Sequence, residues 1–343
     1  MIDPNNPTGT TGLVAIDKRG CRARFLDPLS FVELGSLELP ARPHEVAISA
    51  DHRRAYVSIN GSGVYGNNPE PGRHILTLDL EQRQVVSTLD VSPYLAPHGL
   101  ALGADGLLYA SCDASGVVAV IDVQAGDVIG SIDVGSKGNH MIAMLPNGSK
   151  LYSDNEDQAS FVSVMDPRAR QRIGEVPIPS GALGLCASSD GQRVLVADGG
   201  GPRVLVIDTR VDRLADQVTL EGYAHPAQRV RCSPDGRYVV VTADQEPLAT
   251  VLSAGLSRQT TFEVAPGPMG VAFHPDEHTA LVANHGSGRI TVVDLEETVF
   301  TSGTIGLGLS EEANQGVGRT VVVQRGLGLG LKLGHDIRGQ GFA

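Results

Sequence analysis

Three histidines share one address in a repeated pattern. His44, His98 and His140 each stand seven residues before a turn residue, Asp51, Asp105 and Asn147. In three further copies the same position is Leu183, Gln228 and Met269, ahead of Asp190, Asp235 and Asp276. Histidine is 10 of 343 residues. Three in one repeat column, with about forty columns to choose from, would arise by chance about 2% of the time. Three neutral imidazoles aimed at one point form a site for a divalent cation, with positions left over for water or substrate. Imidazole suits zinc, iron, copper and nickel, and manganese is also open, so the column specifies a divalent ion without naming it.

Such an ion carries a charge that imidazoles leave uncompensated, so a neighbouring carboxylate is expected. The segments that return to the histidine end of the pattern are ING (59–61), CDAS (112–115), DNEDQ (154–158), DGGG (198–201), ADQE (243–246) and NHGS (284–287). Asp113, Glu156 and Asp198 are candidates for ligands, for partners of an imidazole N–H or for general bases. Glu156 comes first, because it follows the copy that bears His140. His285 is the candidate for a fourth imidazole. Tyr223, His225 and Arg229 lie on the same side and are candidates to bind a substrate anion or position an oxygen. The remaining histidines, His52, His74, His274, His278 and His335, fall outside the column. The insertion GSGVYGNNPEPGR (61–73), with Tyr65 near its centre, is a lid candidate.

The elements that must position these residues are legible in the repeats. A unit ending in aspartate recurs as FLDP (25–28), TLDL (77–80), VIDV (120–123), VMDP (164–167), VIDT (206–209) and VVDL (292–295). Its steps are 52, 43, 44, 42 and 86 residues, and TVLS (250–253) is a degenerate copy within the double step. Seven units of about 43 residues fall within the range of propeller blades. Between them run hairpins such as PHGLALGADGLLYASC (97–112) and PMGVAFHPDEHTALVAN (268–284), each an apolar strand, a turn and a second β-rich strand. Two more short strands follow each hairpin, and no long window has helical period. The expected fold is therefore all-β: a seven-bladed propeller of four-stranded antiparallel blades spanning 1–325 as one domain. The N-terminal strands GLVAID (12–17), CRARFLDP and FVELGSLEL lack an inner partner, which GRTVVVQ (318–324) can supply, closing the ring. The Gly-rich stretch 326–343 does not fit the repeat.

The hairpin GVAFHPD, the second strand ALVANHGSG and the third strand VVDL resemble the YVTN-type, lactonase-like seven-bladed propellers over about residues 12–310. That resemblance implies the fold, and an enzymatic face at one end of the central channel as in propeller lactonases and lyases. It supplies no site residues, because one propeller architecture carries many activities.

Composition narrows the partners. Lys and Arg number 27 against 39 acidic residues, a net charge of −12, with no basic cluster. This argues against nucleic acid and anionic membrane surfaces. Trp is absent and aromatics are 4%, which leaves no stacking platform for bases or sugars. No apolar stretch approaches a membrane span, and MIDPNNPTGTTG has neither the basic nor the apolar part of a secretory leader, so a cytoplasmic location is expected. Cys21, Cys112, Cys186 and Cys232 form no CxxC pair and are expected as free thiols, with Cys186 and Cys232 buried in apolar runs. There is no GxSxG elbow, P-loop or HExxH. The expected function is a metal-dependent enzyme acting on a small molecule, with the ion as a Lewis acid for hydrolysis, elimination or isomerisation. The alternatives are iron or copper redox chemistry at the same site, for which His285 would be the fourth ligand, and a non-catalytic scaffold. Substrate and oligomeric state are not specified by the sequence.

Overall fold

A computed structural model describes residues 12–40, 42–63, 67–156, 159–295, 303–306 and 319–323. They form seven four-stranded antiparallel sheets, with no helix among the described residues. Each sheet is one blade of a β-propeller. The inner strands of blades 1 to 6 are Pro43–Ile48, Pro97–Leu102, Asn139–Met144, Ala182–Ala187, Arg229–Cys232 and Pro268–Phe273. Blade 7 is composite. Its inner strand is Arg319–Val323, and its other three are Leu13–Asp17, Arg22–Leu26 and Glu33–Glu38. Leu13 pairs with Val323 and Asp17 with Arg319, so the two ends of the chain close the ring as expected from the N-terminal strands. The stretch 326–343 and Tyr65 lie outside the described residues.

Burial explains why the middle strands are so apolar. Second and third strands such as RVLVAD (193–198) and RVLVID (203–208) are buried nearly end to end, whereas the outermost strand RLADQVT (213–219) is largely exposed. A strand packed on both faces reads as a continuous hydrophobic run. Each blade is too thin to hold a core of its own, so the core is divided among the blade interfaces. One cluster joins Tyr56 and Ile75 of blade 1 to Leu108 and Ile121 of blade 2. Another joins Ala272 and Leu281 of blade 6 to Leu13 and Leu26 of blade 7, and a third joins Val14 and Phe25 of blade 7 to Val57 and Leu78 of blade 1. The apolar contacts therefore run round the full circle.

The repeated aspartates are structural. Asp79, Asp122 and Asp166 each accept two backbone N–H bonds from the turn between third and fourth strands, as from Gln124 and Ala125 to Asp122 Oδ1 at 2.9 and 3.0 Å. Asx turns of this kind initiate the reversal that every blade needs. The hairpin turns use the same device. Asp190 Oδ1 accepts from Gln192 N (3.0 Å) and from the Ser188 hydroxyl (2.6 Å), and Gly191 takes the positive φ of 68° that follows.

Two outcomes follow. A chain shortened to begin at residue 21 loses the strand that joins Arg319–Val323 to Arg22–Leu26; its thermal melt, followed by circular dichroism, should lose the sharp cooperative transition of the full chain. The turn carboxylates should also make the fold acid-labile. The Ser49 hydroxyl, with the Arg53 N–H, holds Asp51 below the ordinary aspartate range, and Ser188 and Gln192 do the same for Asp190. A depressed folded-state pKa contributes stability above the unfolded value of about 4 that is lost as pH falls below it. The melting temperature should therefore drop as pH is lowered from 5 toward 3, and the drop should be shallower in the double variant Asp51→Asn, Asp190→Asn.

Candidate active site at the channel mouth

A bulge turns each histidine out of the regular strand alternation. In blade 1 the register passes from Pro43↔Ile59 directly to Val46↔Val57, so His44 and Glu45 oppose the single residue Ser58. The same slip places His98 and Gly99 opposite Ser111, and His140 and Met141 opposite Asp154. Bulges re-aim side chains in this way. The second strand then straps the bulge to the next blade. Ser58 Oγ donates to the His98 carbonyl (2.7 Å) and accepts from Glu45 N (3.1 Å). Ser111 Oγ donates to the His140 carbonyl (2.6 Å) and accepts from Gly99 N (2.8 Å). In blade 3 Asp154 takes the place of the serine, its Oδ1 accepting from Met141 N at 2.5 Å. The packing leaves no room for a side chain at Gly99, where a Cβ would lie 2.7 Å from the His140 carbonyl oxygen.

The three histidines converge. Ring centroids of His44 and His98 are 3.7 Å apart, and those of His98 and His140 4.2 Å. His98 Nε2 is 2.9 Å from His44 Nε2, while His98 Nδ1 is 3.2 Å from the His140 carbonyl oxygen. His140 Nε2 lies 3.3 Å from both Glu156 Oε1 and Arg229 Nη2. The rings are tilted along a ladder, and among the described residues no three His, Cys, Asp or Glu groups surround one point as a finished ligand set.

The donor chemistry nevertheless fits a cation. A carbonyl can only accept, so the His98 proton sits on Nδ1 and its Nε2 is bare. His44 Nδ1 faces Glu45 Oε1 at 3.7 Å. Burial works to raise Glu45, but His44 and Arg229 hold it down at about 2, so it is a carboxylate, although at 3.7 Å it stands beyond hydrogen-bond reach of His44 Nδ1. His44 Nε2 and His98 Nε2 meet at 2.9 Å, the distance of an N–H···N hydrogen bond in which His44 donates. A second proton is disfavoured there, because burial holds His44 down to about 3 and His98 well below the ordinary imidazole value. A shift of the His44 proton to Nδ1, toward the Glu45 carboxylate, would leave two imidazole lone pairs side by side for a divalent ion.

Other predicted residues divide cleanly. Glu156 reaches the cluster, and so does Arg229. The Arg229 guanidinium is buried; it donates to the Leu183 and Gln228 carbonyls and lies 4.0 Å from Glu45 Oε1 on the opposite side of the channel. Asp113 accepts from Asn60 Nδ2 (3.1 Å), and burial raises it to about 7. Asp198 is committed within its own blade to Arg203 and Ser180. His225 is half exposed and held by Glu246 at 3.2 Å, and the Tyr223 hydroxyl bonds to Thr250 in the blade 4–5 interface, so neither joins the histidines. His285 sits at the same end of the channel, in the electrostatic field of Asp244, Lys18 and Arg229. No contact between His285 and the three rings occurs among the described residues.

Lys18 was missed by the sequence reading. Burial lowers it to about 8, and Glu45, Arg229, Arg42 and Glu156 all act on it electrostatically. The signal was present: VAIDK (14–18) is the blade 7 copy of the second strand. Aligned with YVSIN (56–60), YASCD (109–113), YSDNE (152–156) and LVANH (281–285), it places Lys18 in one column with Asn60, Asp113, Glu156 and His285.

Comparison with known proteins bears on the fold. No protein-family model and no curated protein matches the chain. A functionally unknown protein from Desulfotomaculum acetoxidans is similar at TM-score 0.71 and 16% identity, over 91% of this chain and 99% of that one. A chain of Kuenenia stuttgartiensis hydrazine synthase is similar at TM-score 0.62 and 20% identity, over 74% of this chain and 77% of that one. At these identities the likeness is one of fold.

The straps give a direct test. Ser111→Ala leaves the buried Gly99 N–H and His140 carbonyl without their hydroxyl partner, which should cost about 1–3 kcal/mol. Urea unfolding of the variant should show a lower midpoint with an unchanged slope.

Proposed function

We propose that this chain is a metal-dependent enzyme acting on a small organic molecule at the histidine mouth of a YVTN-type, lactonase-like propeller. The observation that carries the proposal is the meeting of His44 Nε2 and His98 Nε2 at 2.9 Å, in a buried setting that keeps both rings neutral, so that a shift of the His44 proton to Nδ1 frees two lone pairs for a cation. His44 and His98 would hold the ion, with His140 and Glu156 completing the donor set. When bound, a divalent ion supplies Lewis acidity toward a carbonyl or lactone oxygen.

The chain's own groups perform the rest. Glu156 is only partly buried, with 24% of its side chain exposed, and touches His140, so it is placed to take a proton at a carboxylate oxygen and return it to substrate. Lys18 brings a cation to the same mouth and favours a substrate with an acidic or anion-forming group. Asp154 is buried behind His140 with its Oδ2 3.7 Å from Nδ1, beyond hydrogen-bond reach, and burial raises its carboxyl to about 8. This combination supports hydrolysis, elimination or isomerisation next to a carbonyl.

Protein purified without a histidine tag, equilibrated with zinc or manganese and freed of excess ion, should carry about one ion per chain by mass spectrometry. His98→Ala should retain less than a tenth of it. Glu156→Gln should keep the metal and, with lactone substrates, lose about 10²–10⁴-fold in rate. Wild-type protein that binds no more metal than His98→Ala would overturn the proposal.

A further inference from the structure

At the opposite end of the inner strands, Cys186 of blade 4 and Cys232 of blade 5 have their sulfur atoms 2.7 Å apart. That is well inside the roughly 3.6 Å at which two unbonded sulfurs rest. The encounter follows from strand alternation. Counting back from the turn residue, Cys186 is four before Asp190 and Cys232 three before Asp235. Position four of one blade and position three of the next share a cluster at three other interfaces as well. Ala47 and Leu102 share the blade 1–2 cluster, Ala101 and Met144 the blade 2–3 cluster, and Ala143 and Ala187 the blade 3–4 cluster. Only at the blade 4–5 interface do both positions carry sulfur.

These thiols are reachable. They line a cavity of about 500 Å³ together with Leu102, Met144, Ser188 and Arg231. Cys232 is the more exposed of the two, and Cys186 is buried behind it. Burial and the neighbouring sulfur push the Cys186 thiol well up, with Arg231 opposing.

We infer that Cys186 and Cys232 are a reversible oxidation site, forming a disulfide between blades 4 and 5 when a peroxide enters the cavity. In the first step the Cys232 sulfur attacks one peroxide oxygen. The O–O bond breaks, a sulfenic acid forms and, with the thiol proton, one water leaves. In the second step the Cys186 sulfur attacks the sulfenic sulfur. The S–S bond forms, the S–OH bond breaks, and hydroxide departs with the Cys186 proton as a second water. Two thiols are oxidised and one peroxide is reduced. The site is independent of the histidine mouth and of the activity proposed for it.

The test treats the full chain with hydrogen peroxide and maps its peptides without reduction. The expected product is a peptide pair joined through Cys186 and Cys232, 2 Da lighter than the two thiols, restored by dithiothreitol. The oxidised protein should melt about 4 °C or more higher, since a bridge between distant residues restricts the unfolded chain. In Cys186→Ser the Cys232 sulfenic acid has no neighbour to condense with and should be trapped by dimedone. Sulfinic or sulfonic acid at either position without cross-linking, a cross-link through Cys112 or Cys21, or no loss of thiols at all would overturn the inference.

Discussion

The buried guanidinium of Arg229 is the interaction on which the channel mouth depends. It starts on the inner strand of blade 5, donates to the Leu183 carbonyl of blade 4, touches His140 of blade 3 and faces Glu45 of blade 1. Four blades thus meet at one cation. A charge with so little exposure is tolerable only when carbonyls and a carboxylate surround it, and here the surroundings are supplied by bulged backbone. Without Arg229, the Glu45 carboxylate would lose one of the positive neighbours that hold it ionised, and His140 would lose a neighbour on its Nε2. The histidine cluster and the carboxylate across the channel therefore share one guanidinium.

The architecture was legible from one sequence because it is written seven times. Turn aspartates at a constant step reveal the blades, and the missing inner strand of blade 7 reveals where the chain must close. Column counting also found His44, His98 and His140, since copying preserves topological position. What it could not read is orientation. The bulge that turns the histidines inward has no residue signature beyond an extra position between Pro43 and Val46, visible only once the register is known. Arg229 was noted for its charge, but its reach across the channel is a property of a long side chain in three dimensions.

Lys18 is hard to read because blade 7 is split between the two ends of the chain, so its second strand does not follow an inner strand in sequence. Cys186 and Cys232 each read as a thiol in an apolar run, whereas their meeting depends on the offset between adjacent strands. Asp198 and His225 lie on the same face, with partners, Arg203 and Glu246, from their own blades. Being on a face is a weaker condition than belonging to the column that converges.

Seven-fold repetition and a functional site make opposing demands, and the mouth shows how they are reconciled. Symmetry alone would give seven equivalent positions at the ends of the second strands, with no direction across the channel. Those positions are instead Lys18, Asn60, Asp113, Glu156, Gly199, Asp244 and His285. Lys18 and His285 stand on the adjacent blades 7 and 6, with Asp244 next to them on blade 5, and Asp113 and Glu156 stand on the histidine-bearing blades 2 and 3. The side chains around the opening therefore differ from blade to blade, while the interfaces keep their apolar clusters. A rigid repeat can in this way carry an asymmetric site in which Glu156 lies against His140 while Lys18 stands on the blade next to the one that bears His44.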